Sequence, residues 1–239
     1  MPTVLTALID KQDNFEVVRD QIAALINLNQ AAQVILATAA AEPDPSLWKL
    51  RVFTERAQPW EQVLNEPEKP LAEQDLSPIV NVWYENGTFP EAQGDTVKRQ
   101  AHTATYNVDV YGFGIDQDVV GGGHIPGDLT AVRNATRGIR LVRNILMAAE
   151  NIYLQLRNKD GAALGPGVWQ RWVQSITSFQ PDLASESAHA VIGIRLALRV
   201  TFNEYSPQVD ESNALETVHV DVQRASDGML IVDAEYDFT

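Results

Sequence analysis

The chain has 239 residues, of which 45% are hydrophobic and 21% are charged, as is ordinary for a globular protein of one large or two small domains. Its 32 acidic residues against 18 lysines and arginines give a formal charge of −14 at pH 7, which argues against a general nucleic-acid-binding protein. The absence of cysteine excludes disulfides, thiolate metal sites and cysteine nucleophiles.

The N-terminal residues, M-P-T-V-L-T-A-L-I-D-K, lack the basic start and the long apolar core of a secretion signal. No apolar run approaches the roughly 20 residues that a membrane-spanning helix requires. We therefore expect a soluble protein that is made in the cytoplasm and has no membrane partner.

The N-terminal half of the chain predicts one helix followed by strands. Apolar residues recur at helical spacing within 13–28, with Asp13 or Asn14 suited to the N-cap. The next segment either continues this helix or forms a short strand at 34–36. Proline-spaced, acidic residues at 57–78 indicate a segment that is mostly loop, with one helical turn. Alternating apolar residues predict three strands, at 47–54, 79–84 and 103–113.

The longest predicted helix begins near Thr130 and is preceded by a loop rich in glycine. A wide apolar stripe indicates that this helix lies across a sheet or between subunits. Gly161–Gly167, with Pro166, ends it. Its stripe consists of Val132, Ala135, Ile139, Val142, Leu146, Ala149, Tyr153 and Leu156.

The stretch V-I-G-I-R-L-A-L-R-V-T-F, residues 191–202, alternates strictly between large apolar residues and others. This pattern predicts a strand with one buried face, paired in antiparallel fashion with a strand at 168–180. Two further alternating segments, around 218–222 and 230–236, predict a final hairpin. The order of elements indicates an α+β fold: a mostly antiparallel sheet with a long helix and a short N-terminal helix packed on one face. We assign residues 1–206 to this domain and 207–239 to a C-terminal β-hairpin extension.

The sequence contains no catalytic signature, so we expect neither an enzyme nor a cofactor or metal site. The Gly121–Asp128 loop, G-G-G-H-I-P-G-D, precedes a helix and is compatible with anion binding, but it lacks the Gly-Lys-Ser/Thr ending of a phosphate loop. A flexible loop is the simpler interpretation. The four histidines are widely spaced and fit exposed side chains better than metal ligands; they are His102, His124, His189 and His219.

The arginines carry more information than the acids. Five lie between 133 and 157, so that part of the chain opposes the overall negative charge. One interpretation is a solvated helix face, and the other is docking against an acidic surface of a second copy or another protein. Arg195 and Arg199, on the polar face of the predicted strand at 191–202, fit the docking interpretation. The candidate interface residues are Arg133, Arg137, Arg140, Arg143, Arg195 and Arg199.

The order of these elements and the residue patterns of their strands resemble those of a known family. A strand ending T-E-R is followed by Pro59-Trp60, then by P-I-V-N-V-W-Y-E-N-G-T-F and Y-N-V-D-V-Y-G-F-G, a long helix, and L-A-L-R-V-T-F-N-E-Y. Over roughly residues 10–206 this resembles the tail terminator proteins of long-tailed bacteriophages and related proteins of the head–tail junction. The family carries no catalytic residues. The chain departs from it by the extension after Pro207 and by the long acidic loop at 57–78.

The resemblance implies a structural virion protein that assembles in the host cytoplasm. It implies a ring, typically hexameric, that caps the tail tube and contacts the tube protein and the neck or connector, with DNA only passing through the lumen. The alternatives are a neck or head-completion adaptor and a tail-tube-related subunit. An alternative of a different class is a cytosolic small-molecule-binding domain that uses the Gly121–Asp128 loop.

Overall fold

The computed structural model describes residues 10, 12–43, 45–64, 75–90, 99–119, 123–182, 189–205, 217–223 and 230–237. The fold is α+β, with a mostly antiparallel five-stranded sheet and two long helices, so the predicted fold class is confirmed. The helices are α1 (Asn14–Ala39), α2 (Glu61–Leu64) and α3 (Gly127–Met147), with 3₁₀ turns at Pro45–Trp48 and Ala149–Asn151. The strands are β1 (Arg51–Thr54), β2 (Ile79–Thr88), β3 (Arg99–Ile115), β4 (Gln117–Val119), β5 (Gly123–Ile125), β6 (Leu156–Arg157), β7 (Ala163–Leu164), β8 (Gln170–Phe179), β9 (His189–Tyr205), β10 (Thr217–Gln223) and β11 (Leu230–Asp237).

The main sheet has the strand order β1-β2-β3-β9-β8. β1 runs parallel to β2, and every other neighbouring pair is antiparallel. At its centre, β3 and β9 pair along 17 consecutive positions, from Arg99 opposite Tyr205 to Ile115 opposite His189. The predicted pairing between the strands near 168–180 and 191–202 is confirmed as β8–β9. β8 is therefore an edge strand, and β9 is an interior one.

Helices α1 and α3 cover one face of this sheet and form the main core with it. In β9, Leu196, Leu198, Val200 and Phe202 are fully buried in that core, which confirms the inward direction predicted from their alternation. From the central strands and the helices, the main core also includes Val80, Val82, Ala104, Tyr106, Val108, Val110, Val18, Ile22, Ile26, Ala135, Ile139, Val142 and Leu146.

Two glycines of β3 allow α3 to lie directly on the sheet. A Cβ on Gly112 would stand 2.3 Å from the Ala131 carbonyl oxygen, and one on Gly114 would stand 2.0 Å from the Gly127 carbonyl oxygen. Real Cβ atoms do not approach backbone atoms that closely, so any larger residue would push the helix away. The two glycines of the sequence Y-G-F-G in β3 thus allow the first half of α3 to pack closely on the strand.

The opposite face of the sheet has a smaller core at the end where β1 begins. Val63 and Trp60, from the segment containing α2, pack there against Ile79, Tyr111 and Phe113. This acidic segment was predicted to be mostly loop with one helical turn, and the short helix α2 agrees with that prediction. Residues 65–74 of the segment lie outside the described part.

Several predicted boundaries are wrong. The N-terminal helix is not short, because it continues without interruption to Ala39. It includes residues 34–36, for which a short strand was the alternative. The strand expected at 47–54 is a 3₁₀ turn followed by the four residues of β1. The N-cap of α3 is Pro126 rather than Thr130, and the helix ends at Met147. Val132, placed in the apolar stripe, is 44% exposed, and Tyr153 lies beyond the helix and is also exposed.

By length and composition alone, α1 is long and apolar enough to cross a membrane, contrary to the prediction that no segment approaches this limit. Its packing gives another reason for this composition. Val18, Ile22 and Ile26 are fully buried against the sheet, and small residues such as Ala23 and Ala24 accompany them. A helix that contributes such a face to a core is rich in apolar residues without facing lipid.

The predicted C-terminal hairpin is present as β10 and β11, which pair antiparallel in a two-stranded sheet of their own. The division into 1–206 and 207–239 stays a prediction.

We expect Leu196→Asp to destabilise the fold by roughly 3 kcal/mol or more, because it places an unpaired carboxylate in the main core. Chemical denaturation followed by circular dichroism measures the change in unfolding free energy. Ile176→Asp, at a position that is 46% exposed on β8, is the matched control and should cost at most about 1 kcal/mol. Equal stability of the two variants would contradict the inward position of Leu196.

Candidate protein-binding interface

The outward face of α3 carries four arginines. The residues that α3 buries are on its other side, and they include Ala131, Ala135, Val142 and Leu146. Successive residues of a helix are about 100° apart, so the arginines lie on the side facing away from the sheet. The four are Arg133, Arg137, Arg140 and Arg143, of which Arg137 is half-buried and the others are exposed.

No carboxylate among the described residues forms an ion pair with these four side chains; the described ion pairs of the chain lie elsewhere. Their spacings of four, three and three residues bring like charges next to one another on the helix. Like charges at such spacings destabilise a helix by a few tenths of a kcal/mol each. Within the described part of the chain, this positive charge is therefore uncompensated and in contact with solvent.

Apolar side chains accompany the arginines on the same helix. Leu129 and Val132 are 45% and 44% exposed, and Met147, at the other end, is also exposed. The only acidic residue of α3 is Asp128, in its first turn. Arginine and methionine are enriched at protein–protein interfaces and acidic residues are depleted there, so this face is a candidate for protein binding, with a solvated helix face as the alternative. We define the outward residues of α3 between Leu129 and Met147 as the basic face.

Arg195 has a different environment from the α3 arginines. Its guanidinium forms a two-point contact with the Asp109 carboxylate, with Nε–Oδ1 and Nη2–Oδ2 distances of 2.7 and 2.9 Å. The hydrogen bond to Asp109 raises the pKa of Arg195. The guanidinium also lies over the rings of Trp83 and Phe179, at 4.8 and 5.3 Å from their centroids. Arg195 thus neutralises a buried carboxylate within its own subunit.

Asp109 organises this part of the sheet face that lies opposite α1 and α3. Its side chain is 3% exposed, and it also accepts hydrogen bonds from Trp83 Nε1 at 3.0 Å and from the Tyr111 hydroxyl at 3.4 Å. Burial and the neighbouring Asp109 carboxylate raise the pKa of Tyr111, so its hydroxyl stays protonated and donates. The alternation within 103–113 puts Asp109 on the polar side of a strand, but its position opposite Arg195 depends on the pairing of β3 with β9.

Arg199, the second candidate on β9, is half-buried and lies over the Trp172 ring of β8 at 5.3 Å from its centroid. It is separate from the α3 arginines, because its side of the sheet faces away from the helices. The six arginines predicted as one interface are therefore divided between two faces of the molecule.

Arg171, which sequence reasoning did not single out, holds the end of α3 in place. Its guanidinium donates to the carbonyl oxygens of Leu146, Asn151 and Ala148, the last at 2.7 Å. The final carbonyls of a helix lack intrahelical partners, and a cation there satisfies them. The sequence around Arg171 gives no sign of this role, because the contact joins residues 20 to 25 positions apart.

The start of α3 is not arranged as an anion site. The backbone N–H of Gly127 donates to Asp116 Oδ1 at 2.6 Å, so the chain's own carboxylate takes the position of an anion. Of the Gly121–Asp128 loop, residues 121 and 122 lie outside the described part, and His124 is exposed. Within the described residues, no group of three potential ligands is arranged to hold a metal ion.

One histidine differs from its prediction. His102 is 2% exposed and stacks on Phe89 with a centroid distance of 4.3 Å, so the expectation of an exposed side chain is wrong there. It lies on β3 next to Phe202, where the aromatic cluster around Phe15 and Tyr84 covers it. The side chains of His189 and His219 lie outside the description.

Comparisons with known proteins do not assign the chain to a family. No protein-family model matches it, and no curated protein is similar to it in sequence.

We expect Asp109→Asn to lower the unfolding free energy by about 2 to 3 kcal/mol. Breaking a buried ion pair costs about 3 to 5 kcal/mol, and the loss is smaller here because the Arg195 side chain is 36% exposed and can be rehydrated. Urea denaturation measures the change, with Asp160→Asn in an exposed turn as the control. A cost equal to that of the control would show that the Asp109–Arg195 contact is not formed in solution.

Proposed function

We propose that this chain is a structural assembly protein of a long-tailed bacteriophage, whose subunits form a ring, in the expected case a hexamer, that caps the head-proximal end of the tail tube. The observation that supports assembly into a ring is the basic face of α3. It presents four arginines without ion-pair partners among the described residues, in a chain whose formal charge is −14.

The charge distribution favours association through this face. Each subunit repels other copies over most of its surface because both are negative. A local positive face reverses this repulsion in one orientation and so selects how an acidic partner approaches. The exposed Leu129, Val132 and Met147 add apolar area that a partner would cover. Association in one orientation between unlike surfaces of identical subunits closes into a ring when the rotation between neighbours permits it.

The position of the ring at the tail terminus, and its contacts with the tube protein and the neck, rest on the resemblance to tail terminator proteins. In this proposal DNA passes through the lumen without being gripped, since the chain is acidic overall. We propose no catalytic role and no cofactor. Arg195 and Arg199 are assigned to the stability of the subunit and its sheet face opposite α1 and α3, because both already have partners within it.

The mass of the protein in solution tests the proposal directly. Light scattering after size exclusion, at two protein concentrations and two salt strengths, should show an oligomer that weakens with salt, because exposed charges are screened beyond about 8 Å at physiological ionic strength. Negative-stain images should show rings with a central hole. An oligomer that is insensitive to salt would argue against docking through the basic face.

We expect Arg137→Glu with Arg140→Glu to weaken association by about tenfold to a hundredfold while leaving the melting temperature of the subunit unchanged. The reason is that two like charges then face the acidic partner, and neither side chain contributes to the core. Sedimentation velocity measures the association.

The matched control is Arg157→Glu with Lys159→Glu, which makes the same change of charge at the exposed end of β6 and in the turn that follows it. Association of the α3 variant at the strength of this control would refute the docking role of the basic face.

A further inference from the structure

The C-terminal extension concentrates the negative charge of the chain. Residues 207–239 contain eight acidic residues and one arginine, so their formal charge is −7, which is half of the −14 of the whole chain. The extension makes up only 33 of the 239 residues. Such a segment is suited to contact a basic surface, and the basic face of α3 is the largest group of unpaired arginines in the described part of the molecule.

The register of the hairpin places acidic residues close together, so a nearby cation would stabilise the hairpin. Asp221 of β10 stands directly opposite Asp233 of β11. Like charges at directly opposed positions destabilise a strand pair. Glu235 and Asp237 follow Asp233 at every second position of β11, opposite His219 and Thr217. The hairpin thus has a row of acidic positions without a lysine or arginine opposite any of them.

The dimensions of the two rows agree. Asp233 and Asp237 are separated by four residues of strand, or about 13 Å at 3.3 Å per residue. Arg133 and Arg143 are separated by ten residues of helix, or about 15 Å at 1.5 Å per residue. A strand laid along the helix would place its three acidic positions within reach of successive arginines.

We propose that the acidic hairpin of one copy, β10–β11, docks on the basic face of α3 of the next copy. This proposal rests on the proposed function and names the partner surface of the same interface. A second copy is chosen over the hairpin's own chain because the ring proposed above requires an interface between copies. The hairpin pairs with no strand of the main sheet, so it is available for a contact outside its subunit. An isolated two-stranded hairpin is marginally stable in water, and docking would stabilise it.

A charge exchange between the two surfaces tests this pairing in the full-length protein. Asp233→Lys with Glu235→Lys should weaken association by about tenfold to a hundredfold, like the reversal at Arg137 and Arg140. The loss would not arise from a damaged hairpin, because a cation at position 233, opposite Asp221, relieves the like-charge pair. The control, Glu42→Lys with Asp160→Lys, makes the same change of net charge at exposed positions of the main body and should associate normally.

Mixing the two deficient variants provides the decisive measurement. The Arg137→Glu, Arg140→Glu variant loses positive charge on the helix face and keeps the acidic hairpin. The Asp233→Lys, Glu235→Lys variant keeps the basic helix face and carries two lysines in place of acidic residues on β11. Each variant alone should therefore fail to associate, whereas an equimolar mixture of the two should associate. Their formal charges are about −18 and −10, from four units removed from or added to −14, so overall attraction between them cannot produce a recovery.

The absence of cysteine allows an independent test of which copy supplies the hairpin. Thr136→Cys, on the exposed side of α3, and Thr217→Cys, at the start of β10, are introduced into separate proteins and mixed under oxidising conditions. We expect a disulfide-linked heterodimer, and none when Gln33→Cys on the exposed side of α1 replaces Thr136→Cys. When both cysteines are placed in one chain and the protein is diluted, a link within that chain would overturn the exchange between copies.

The outcomes separate the two proposals. If reversal at Arg137 and Arg140 abolishes association while reversal at Asp233 and Glu235 leaves it unchanged, the hairpin is not the partner and the basic face docks elsewhere. If neither reversal matters, the docking role itself fails. Recovery on mixing, together with the heterodimeric cross-link, supports the hairpin as the occupant of the basic face.

Discussion

The packing of α3 against the central strand pair is the constraint on which the rest of the structure depends. β3 and β9 are paired along 17 positions, and the apolar residues of both strands point to the same side. Gly112 and Gly114 let the helix backbone lie on the strand without intervening side chains. Once Ala131, Ala135, Val142 and Leu146 are buried in this contact, the rotation of the helix is set. Arg133, Arg137 and Arg140 then have to face outward.

Two groups of arginines in the described part of this acidic chain have different physical roles. Arg171 and Arg195 satisfy groups within the subunit: the free carbonyls at the end of α3 and the buried Asp109 carboxylate. The α3 arginines satisfy nothing among the described residues and remain in solvent. Because leaving like charges adjacent on a helix costs free energy, an external acidic partner would recover part of that cost. The acidic C-terminal extension has the complementary character, with acidic residues at opposed register positions.

The sheet face opposite α1 and α3 is polar, and the contacts among its side chains stabilise the subunit. Trp83, Tyr111 and Arg195 converge on Asp109, so the charge is balanced and its hydrogen bonds are made. Arg199 and Trp172 continue this surface towards β8. Contacts of this kind join residues that are far apart in the chain, and they depend on the alignment of β2, β3 and β9. They hold the central strands in one register, and this register positions the part of β3 on which α3 packs.

The sequence by itself determined the elements whose apolar period is long and regular. The alternation of 191–202 predicted β9 and its inward residues, and the stripe of three- and four-residue steps predicted the body of α3. It also determined where arginines and acids concentrate. Local patterns could not determine the continuation of α1 to Ala39, because its alanine-rich second half fits helix and strand alike. Only the tertiary structure decided that Asp109 meets Arg195, that Arg171 caps α3 and that Arg199 lies on a different face from the α3 arginines. The physical reason is that these relations depend on strand order and register, which no local pattern of the chain encodes.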